Sequence, residues 1–399
     1  MRIGMILDKT FPPDPRVENE AMSLINRGHE VFLFCLKYGP QEEGQEKINN
    51  ILVCRYSSNK LEYKLSALVF TVPIYTTLMK KKILHFLRTN KIEVIHIHDI
   101  RIAEAVYKAN RNLKLPTVLD LHDNMPEIIK FYPHLQKFPG KQLISPQKWR
   151  MKEEEFINKA DKVITVSEEF IEEVIKRTGV SEEKIILVPN TVRKTFYNEA
   201  LIDKNIINKY KDHFVILYVG DTAIRRGLLT AIDAIEELKD KINNLKLVIV
   251  GENTTDKELK LRVKNLKLDD HIEFTGWQDV ALFPSYIEAS SLCISPLYRN
   301  KQHDVAYANK LFQYMSFSKP LLVSDATAQK KLIIKTKSGL VHKEKDVKDF
   351  RNKVLDLYNN HELRSELGNN GKSFIEDEFC WEKVSKNLVD IYDELSAGK

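Results

Sequence analysis

Short runs of Val, Ile and Leu alternate with amphipathic stretches along most of this chain, and the alternation restarts past the middle. Strands that are apolar on both faces and separated by helices predict a parallel sheet covered on both sides. In the first half the expected strands are 2–7, 31–36, 51–56, 94–98, 117–121, 163–166 and 185–188. In the second half they are 214–219, 245–250, 272–274, 292–295 and 320–323. A chain of 399 residues is long for one domain, and two are expected. The polar stretch after Val188-Pro189-Asn190-Thr191 reads as the connection. The fold class is therefore α/β, with two Rossmann-like, doubly wound parallel-sheet domains at 1–195 and 196–378, and a final helix within 379–399.

Charge narrows the partners. The excess of 62 Lys and Arg over 56 acids is a formal +6, enough for a phosphate-rich ligand or an anionic surface without demanding nucleic acid. Cys35, Cys54, Cys293 and Cys380 form no CxxC pair and sit mostly in apolar runs, so they read as buried free thiols, with no visible metal site. The N-terminal apolar run is only strand length. The run 65–79 contains Pro73 and falls short of the ~20 residues a spanning helix needs. Lys80-Lys81-Lys82 and Arg88 follow it, and 131–150 mixes aromatics with lysines. The expectation is a cytoplasmic protein with peripheral contact at the inner face of the membrane.

The loop Asp8–Arg16 holds three prolines and no glycine pair. A dinucleotide fingerprint needs G-x-G-x-x-G there, so an NAD site is excluded, and the stiff loop is a candidate wall for a substrate cleft. Past the fifth strand comes Asp120-Leu121-His122-Asp123-Asn124-Met125-Pro126-Glu127. His122 there could donate to a sugar hydroxyl or phosphate, with Asp123 or Glu127 orienting it.

In the second half, Gly220-Asp221-Thr222-Ala223-Ile224-Arg225-Arg226-Gly227 links a strand to a helix. Arginines at a helix N-terminus are unfavourable unless an anion binds, and Arg is the residue best shaped to grip phosphate. Glu252 and Trp277 follow the next two strands and are expected on the same rim. Residues 298–325 read as a polar loop, a helix over 309–317 and a buried strand. Asn309 and Gln313 share one face of that helix, and Lys310 brings charge to the loop end.

Nearly the whole pattern resembles the retaining glycosyltransferases of family 4, the group 1 class with the GT-B fold. Asp14-Pro15-Arg16-Val17-Glu18 and Arg27-Gly28-His29-Glu30-Val31 are similar to the family's first loop and helix. Ile164-Thr165-Val166-Ser167 and Val188-Pro189-Asn190 match its later strand and turn, with Thr191 replacing Gly. Gly220…Arg226-Gly227 is similar to the family's phosphate motif, with Asp221 in the Arg place and Arg226 in the Lys place. Asn309-Lys310-Leu311-Phe312-Gln313-Tyr314-Met315…Lys319-Pro320 is similar to its K-L-x-E-Y-M…G-K-P segment, but the paired glutamates fall on Val305 and Gln313. Gln313 can still bind a ribose hydroxyl, and Asp304 or the neighbouring backbone is expected to stand in for Val305.

The resemblance implies two domains facing across a cleft, the last helix crossing back to the first. It also implies metal-independent transfer of a sugar, with retention, from a nucleotide diphosphate sugar to a glycan or lipid-linked acceptor. On it, Arg225, Arg226 and His122 are the catalytic candidates. The donor would be held by Gln313, Asn309, Lys310, Gly220, Asp304, Trp277 and Glu252. Arg16, Asp14 and Asp123 would lie on the acceptor side. The nucleotide sugar is a co-substrate, and no other cofactor is expected. The rival readings are a hydrolysing nucleotide-sugar epimerase and a catalytically silent sugar-nucleotide-binding subunit.

Overall fold

The computed structural model describes residues 1–39, 44–132, 135, 137–138 and 140–397. The chain divides into two units, Met1–Pro189 with Ser385–Lys399, and Asn190–Val384.

Among the described residues the first unit holds eight strands: β1 Arg2–Ile6, β2 Glu30–Lys37, β3 Gln45–Ile48, β4 Ile51–Ser57, β5 Val94–His98, β6 Thr117–Asp120, β7 Lys162–Thr165 and β8 Ile185–Leu187. Their order is β3-β4-β2-β1-β5-β6-β7-β8. Every pair is parallel except β3 with β4. Strand β3 was not expected from the sequence. Its first three residues are polar and exposed, and it forms by hairpin pairing through Asn49 and Asn50, both at positive φ, the backbone that a two-residue hairpin turn requires.

The second unit holds β9 Phe214–Val219, β10 Leu245–Val250, β11 Ile272–Gly276, β12 Leu292–Ser295, β13 Leu321–Ser324 and β14 Gly339–His342. Their order is β11-β10-β9-β12-β13-β14, all parallel. Ile216 and Tyr218 of β9 join one buried cluster with Leu247 and Ile249. Val215, Leu217 and Val219 join another with Val248 and Val250. Alternate residues of one strand thus enter two cores, which is why these strands read as continuous apolar runs rather than alternating ones. The edge strand β14 escaped the sequence reading because it is four residues with a leading glycine.

The domain boundaries move slightly from the expected ones. Thr191 Oγ1 donates to Phe379 O at 2.7 Å, and Trp381 N donates to Val192 O at 2.8 Å. These bonds tie 190–195 and 379–384 into the second unit. The helix Trp381–Ala397 starts there, and from Ser385 onward it belongs to the first unit. The apolar run 65–79 is broken at Pro73 between the helices Lys60–Ser66 and Ile74–Thr89. Among the described residues no helix is long and apolar enough to cross a membrane. All four cysteines are buried and free.

Candidate functional site

In the second unit the strand order reverses between β9 and β12, since β10 and β11 lie to one side and β13 and β14 to the other. Open α/β sheets bind ligands outside the carboxyl ends of the strands at such a point. The loops leaving β9 and β12 interlock there. Tyr298 N donates to Arg225 O at 3.0 Å. Gly227, at φ +78°, lies so close to Pro296 that a Cβ would sit 1.8 Å from its carbonyl oxygen, so only glycine fits.

Side chains converge on Asp221. Its Oδ1 accepts from Ala223 N at 3.1 Å and Asn253 Nδ2 at 2.6 Å. Its Oδ2 accepts from Arg226 Nε at 3.1 Å and from an Arg225 terminal nitrogen at 3.4 Å. Burial works against ionisation, but Arg226 and these hydrogen bonds outweigh it and hold the carboxyl below its usual range. Arg225 also lies 3.1 Å from His303 Nε2. His303 Nδ1 is 2.7 Å from Tyr298 O, which can only accept; Nδ1 therefore carries the proton, and Nε2 accepts from Arg225. Burial, together with Arg226 and Arg225, pushes His303 down to about 4, so it is neutral at pH 7.

Lys310 opens the helix Lys310–Ser316 with its side chain turned inward. Its Nζ sits 3.4 Å from the Tyr218 ring centroid and makes no hydrogen bond. It faces Gly220, where a Cβ would lie 3.5 Å from it. Burial first, then Arg226, holds the amine well below its ordinary pKa. Asn309 is exposed and Gln313 half-buried one turn on. Glu252 and Trp277 follow β10 and β11 and are exposed.

Asp304 is a correction. Its Oδ1 accepts from Thr327 N at 2.8 Å and Thr327 Oγ1 at 3.0 Å, and its carboxylate pairs with Arg299 at 3.2 Å. It thus serves the start of the helix Thr327–Thr336 rather than a sugar. Its neighbour His303, and Asn253 across the loops, occupy the site instead. Neither was singled out in the sequence, because His303 lies in an irregular polar segment and Asn253 meets Asp221 only through sheet topology.

The first unit has its own reversal, between β1 and β5. Asp8 after β1 accepts from Arg101 at 2.8 Å across it. Two of the expected acceptor-side residues, Asp14 and Arg16, are engaged by partners within the first unit. Asp14 accepts from Val17 N at 3.2 Å and caps the helix Pro15–Asn26. Arg16 is buried and donates to Asp120 Oδ2 at 2.9 Å, Asp120 Oδ1 at 2.6 Å and Val188 O at 3.0 Å. It also pairs with Glu20 at 3.0 Å.

His122 Nε2 lies 2.6 Å from Asp120 Oδ2, and its Nδ1 is 3.8 Å from Asp99. Asp120 and Asp99, not Asp123 or Glu127, therefore orient it. Glu127 pairs with Lys130 instead, and Asp123 lies half-buried in the turn that follows. Burial lowers the His122 pKa, but the Asp120 and Asp99 carboxylates outweigh it and lift it to about 9. Beneath it, His98 Nδ1 is 3.0 Å from His122 Nε2, and His96 Nδ1 is 2.6 Å from the Tyr392 hydroxyl. Burial holds both lower histidines below the ordinary value.

Glu20, His96, His98 and Asp120 bring ligand-type atoms within 4.8 Å of one another. Both Asp120 oxygens are taken by Arg16, so the guanidinium stands where a cation would. The sequence did carry a sign of this network: two histidines in the otherwise apolar strand 94–98 need buried partners.

Comparison with known proteins agrees with this architecture. Residues 16–195 match the family described as Glycosyltransferase Family 4, and 200–374 match Glycosyl transferases group 1. An uncharacterized glycosyltransferase of Methanocaldococcus jannaschii is 25% identical over 94% of this chain and 93% of its own. A capsular polysaccharide biosynthesis glycosyltransferase, CapM of Staphylococcus aureus, is 24% identical over 60% of this chain and 64% of its own. Among solved structures, sucrose-phosphate synthase from Thermosynechococcus elongatus superposes with TM-score 0.80 at 18% identity, covering 100% of both chains. Anabaena HepE in complex with UDP superposes with TM-score 0.74 at 15% identity, over 99% of this chain and 100% of its own. With two parallel-sheet α/β units of the GT-B kind and both family matches in sequence order, this chain belongs to the group 1, family 4 glycosyltransferases.

Proposed function

We propose that this protein transfers a sugar from a nucleoside diphosphate sugar to a glycan or lipid-linked acceptor, with retention and without a metal, in the synthesis of a cell-surface polysaccharide or glycolipid. One observation carries the donor reading. Arg225, Arg226 and Lys310 crowd the reversal point of the second sheet beside the Asp221 carboxylate, whose two oxygens are already occupied. A diphosphate would supply the missing negative charge, and the same cations would take up the charge that develops on the departing nucleoside diphosphate. Asn309, Gln313, Glu252 and Trp277 are assigned to the nucleoside and sugar. HepE, a structural relative, was crystallised with UDP-glucose, which fits this donor class.

Peripheral attachment at the inner face of the membrane completes the proposal. Leu61, Tyr63, Ile74 and Phe138 are exposed on the first unit, with Lys80 and Lys81 nearby in sequence. Lys82, by contrast, is spent on Glu62 at 2.8 Å. The test begins with thermal shift against UDP-, GDP-, CDP-, ADP- and dTDP-sugars, because binding raises apparent stability by mass action. Turnover of the stabilising donor is then measured with lipid and glycan acceptors, with and without EDTA. Product of retained anomeric configuration, formed in EDTA, is the expected result. A strict metal requirement would sink the metal-free part, release of the sugar without acceptor would favour the epimerase, and stabilisation without turnover would favour the silent subunit.

A further inference from the structure

We infer that Lys310 takes up a proton when a nucleoside diphosphate binds, so that donor binding at this site is proton-linked. The inference rests on the donor reading above and adds a mechanism to it.

Among the described residues no carboxylate hydrogen-bonds to the amine. Its Nζ is buried, makes no hydrogen bond and lies against the Tyr218 ring. Tyr218 comes from β9, and its own hydroxyl donates to Asp221 O at 2.5 Å, so it offers Lys310 only a ring face. The turn after β9 supplies Arg226 and Arg225, both of the same sign as an ammonium. Asp221 in that turn is the nearby carboxylate, and it already accepts from Ala223, Asn253, Arg225 and Arg226. The segment after β12 supplies His303, whose Nε2 accepts from Arg225. A third cation placed beside two arginines, desolvated and unpaired, is the arrangement that disfavours protonation. Burial and Arg226 accordingly depress its pKa.

A diphosphate oxygen entering beside Gly220 reverses this balance. It brings negative charge within reach of Nζ, and the amine binds a proton from the solvent to become the ammonium that donates to that oxygen. Gly220 matters because Nζ already lies 3.5 Å from where a Cβ would stand. Arg226 and Arg225 hold their charge at all working pH values and bind the anion without proton exchange. Lys310 is then the group through which pH enters donor affinity.

Calorimetric titration of the full chain with UDP, GDP, CDP, ADP, dTDP and inorganic pyrophosphate tests this. It is run at about pH 8.5, where free terminal phosphates are ionised, in two buffers of different protonation enthalpy. The expected result is uptake of about one proton per bound nucleotide, with affinity falling as pH rises further. Lys310→Arg should bind with no uptake, because its guanidinium is charged beforehand. Lys310→Met should lose about tenfold or more in affinity. His303→Gln should keep the uptake. Thermal melts of each variant identify any that fail to fold, and the wild-type buffer comparison needs no variant. Wild-type binding with the same heat in both buffers would overturn the inference while leaving the donor reading intact, as would undiminished uptake in Lys310→Arg. No binding of any nucleotide or of pyrophosphate would overturn the donor reading, and this inference with it.

Discussion

Arg16 grips Asp120 with two nitrogens, at 2.9 Å and 2.6 Å, and both side chains are buried. That pair sets the chemistry above it. Asp120 is held well below the usual carboxylate range despite burial, because Arg16 and then His122 favour its charge. An ionised Asp120 in turn keeps His122 protonated. Arg16 is therefore a positioning residue for His122, not a contact for an acceptor.

Arg16→Met is expected to destabilise the first unit by about 3–5 kcal/mol, the scale for stranding one partner of a buried ion pair. Urea unfolding of the full chain, followed by hydrogen exchange in peptides of β1, β5 and β6, reads the effect. Nucleotide binding by the second unit should persist. A loss below ~1 kcal/mol would mean that the carboxylate network repairs itself without the guanidinium.

The pH dependence of the first unit has a definite sign. The folded pKa of His122, about 9, lies above its unfolded value of about 6.5, so its stabilisation is complete below pH 6.5 and is lost as pH climbs through 9. Glu20, which burial raises from 4.5 to about 8, acts in the same direction. His96 and His98 are depressed from 6.5, so their contribution is present above pH 6.5 and lost on acidification. Stability should therefore peak near pH 6.5 and fall toward pH 9. His122→Gln should flatten the alkaline limb. A wild-type limb that stays level in hydrogen exchange of the first unit would refute the assignment.

Arg226→Ala is expected to cost about 2–4 kcal/mol of transition-state stabilisation, seen chiefly in kcat. Its bond to Asp221 is partly exposed, so folding should change by less than ~1 kcal/mol. Steady-state kinetics with the stabilising donor decide the matter. Turnover at the wild-type rate would remove Arg226 from the reaction.

Gln313 separates hydrogen bonding from charge. Gln313→Glu should keep donor affinity, since a carboxylate can accept the same hydroxyl protons. Gln313→Leu should lose about 1–3 kcal/mol by leaving a hydroxyl unpaired. Equal dissociation constants for the two variants would show that this helix face binds no hydroxyl.

Membrane attachment should depend on Lys80 and Lys81 but not on Lys82, which is paired with Glu62 and donates to Ser57 O. Sedimentation with anionic liposomes is expected to weaken by about 1 kcal/mol for each of the first two changed to Gln. Loss of binding with salt would accompany it. Failure to bind at low salt would dispose of the attachment.

Local sequence determined the layout because each strand carries its own evidence. Phe214–Val219 is apolar on both faces, which only a sheet covered on both sides satisfies, and its observed ends, like those of Val94–His98, coincide with the expected ones. The strands that were missed, β3 and β14, are short edges whose pairing comes from neighbours rather than from their own pattern. The rim of the second sheet could be anticipated for the same reason: parallel strands put their following loops on one edge, so Gly220–Gly227 and the segment before Lys310 had to approach one another. Which side chains meet there was decided only in three dimensions. Asp304 and His303 are adjacent in sequence, yet the turn of Lys301–Val305 sends one to Thr327 and the other to Arg225. Arg16 looked like a loop residue, but position 16 faces inward on its helix and reaches Asp120, 104 residues away. Charge networks are built from long-range partners, and a single sequence carries the residues of such a network without the distances that join them.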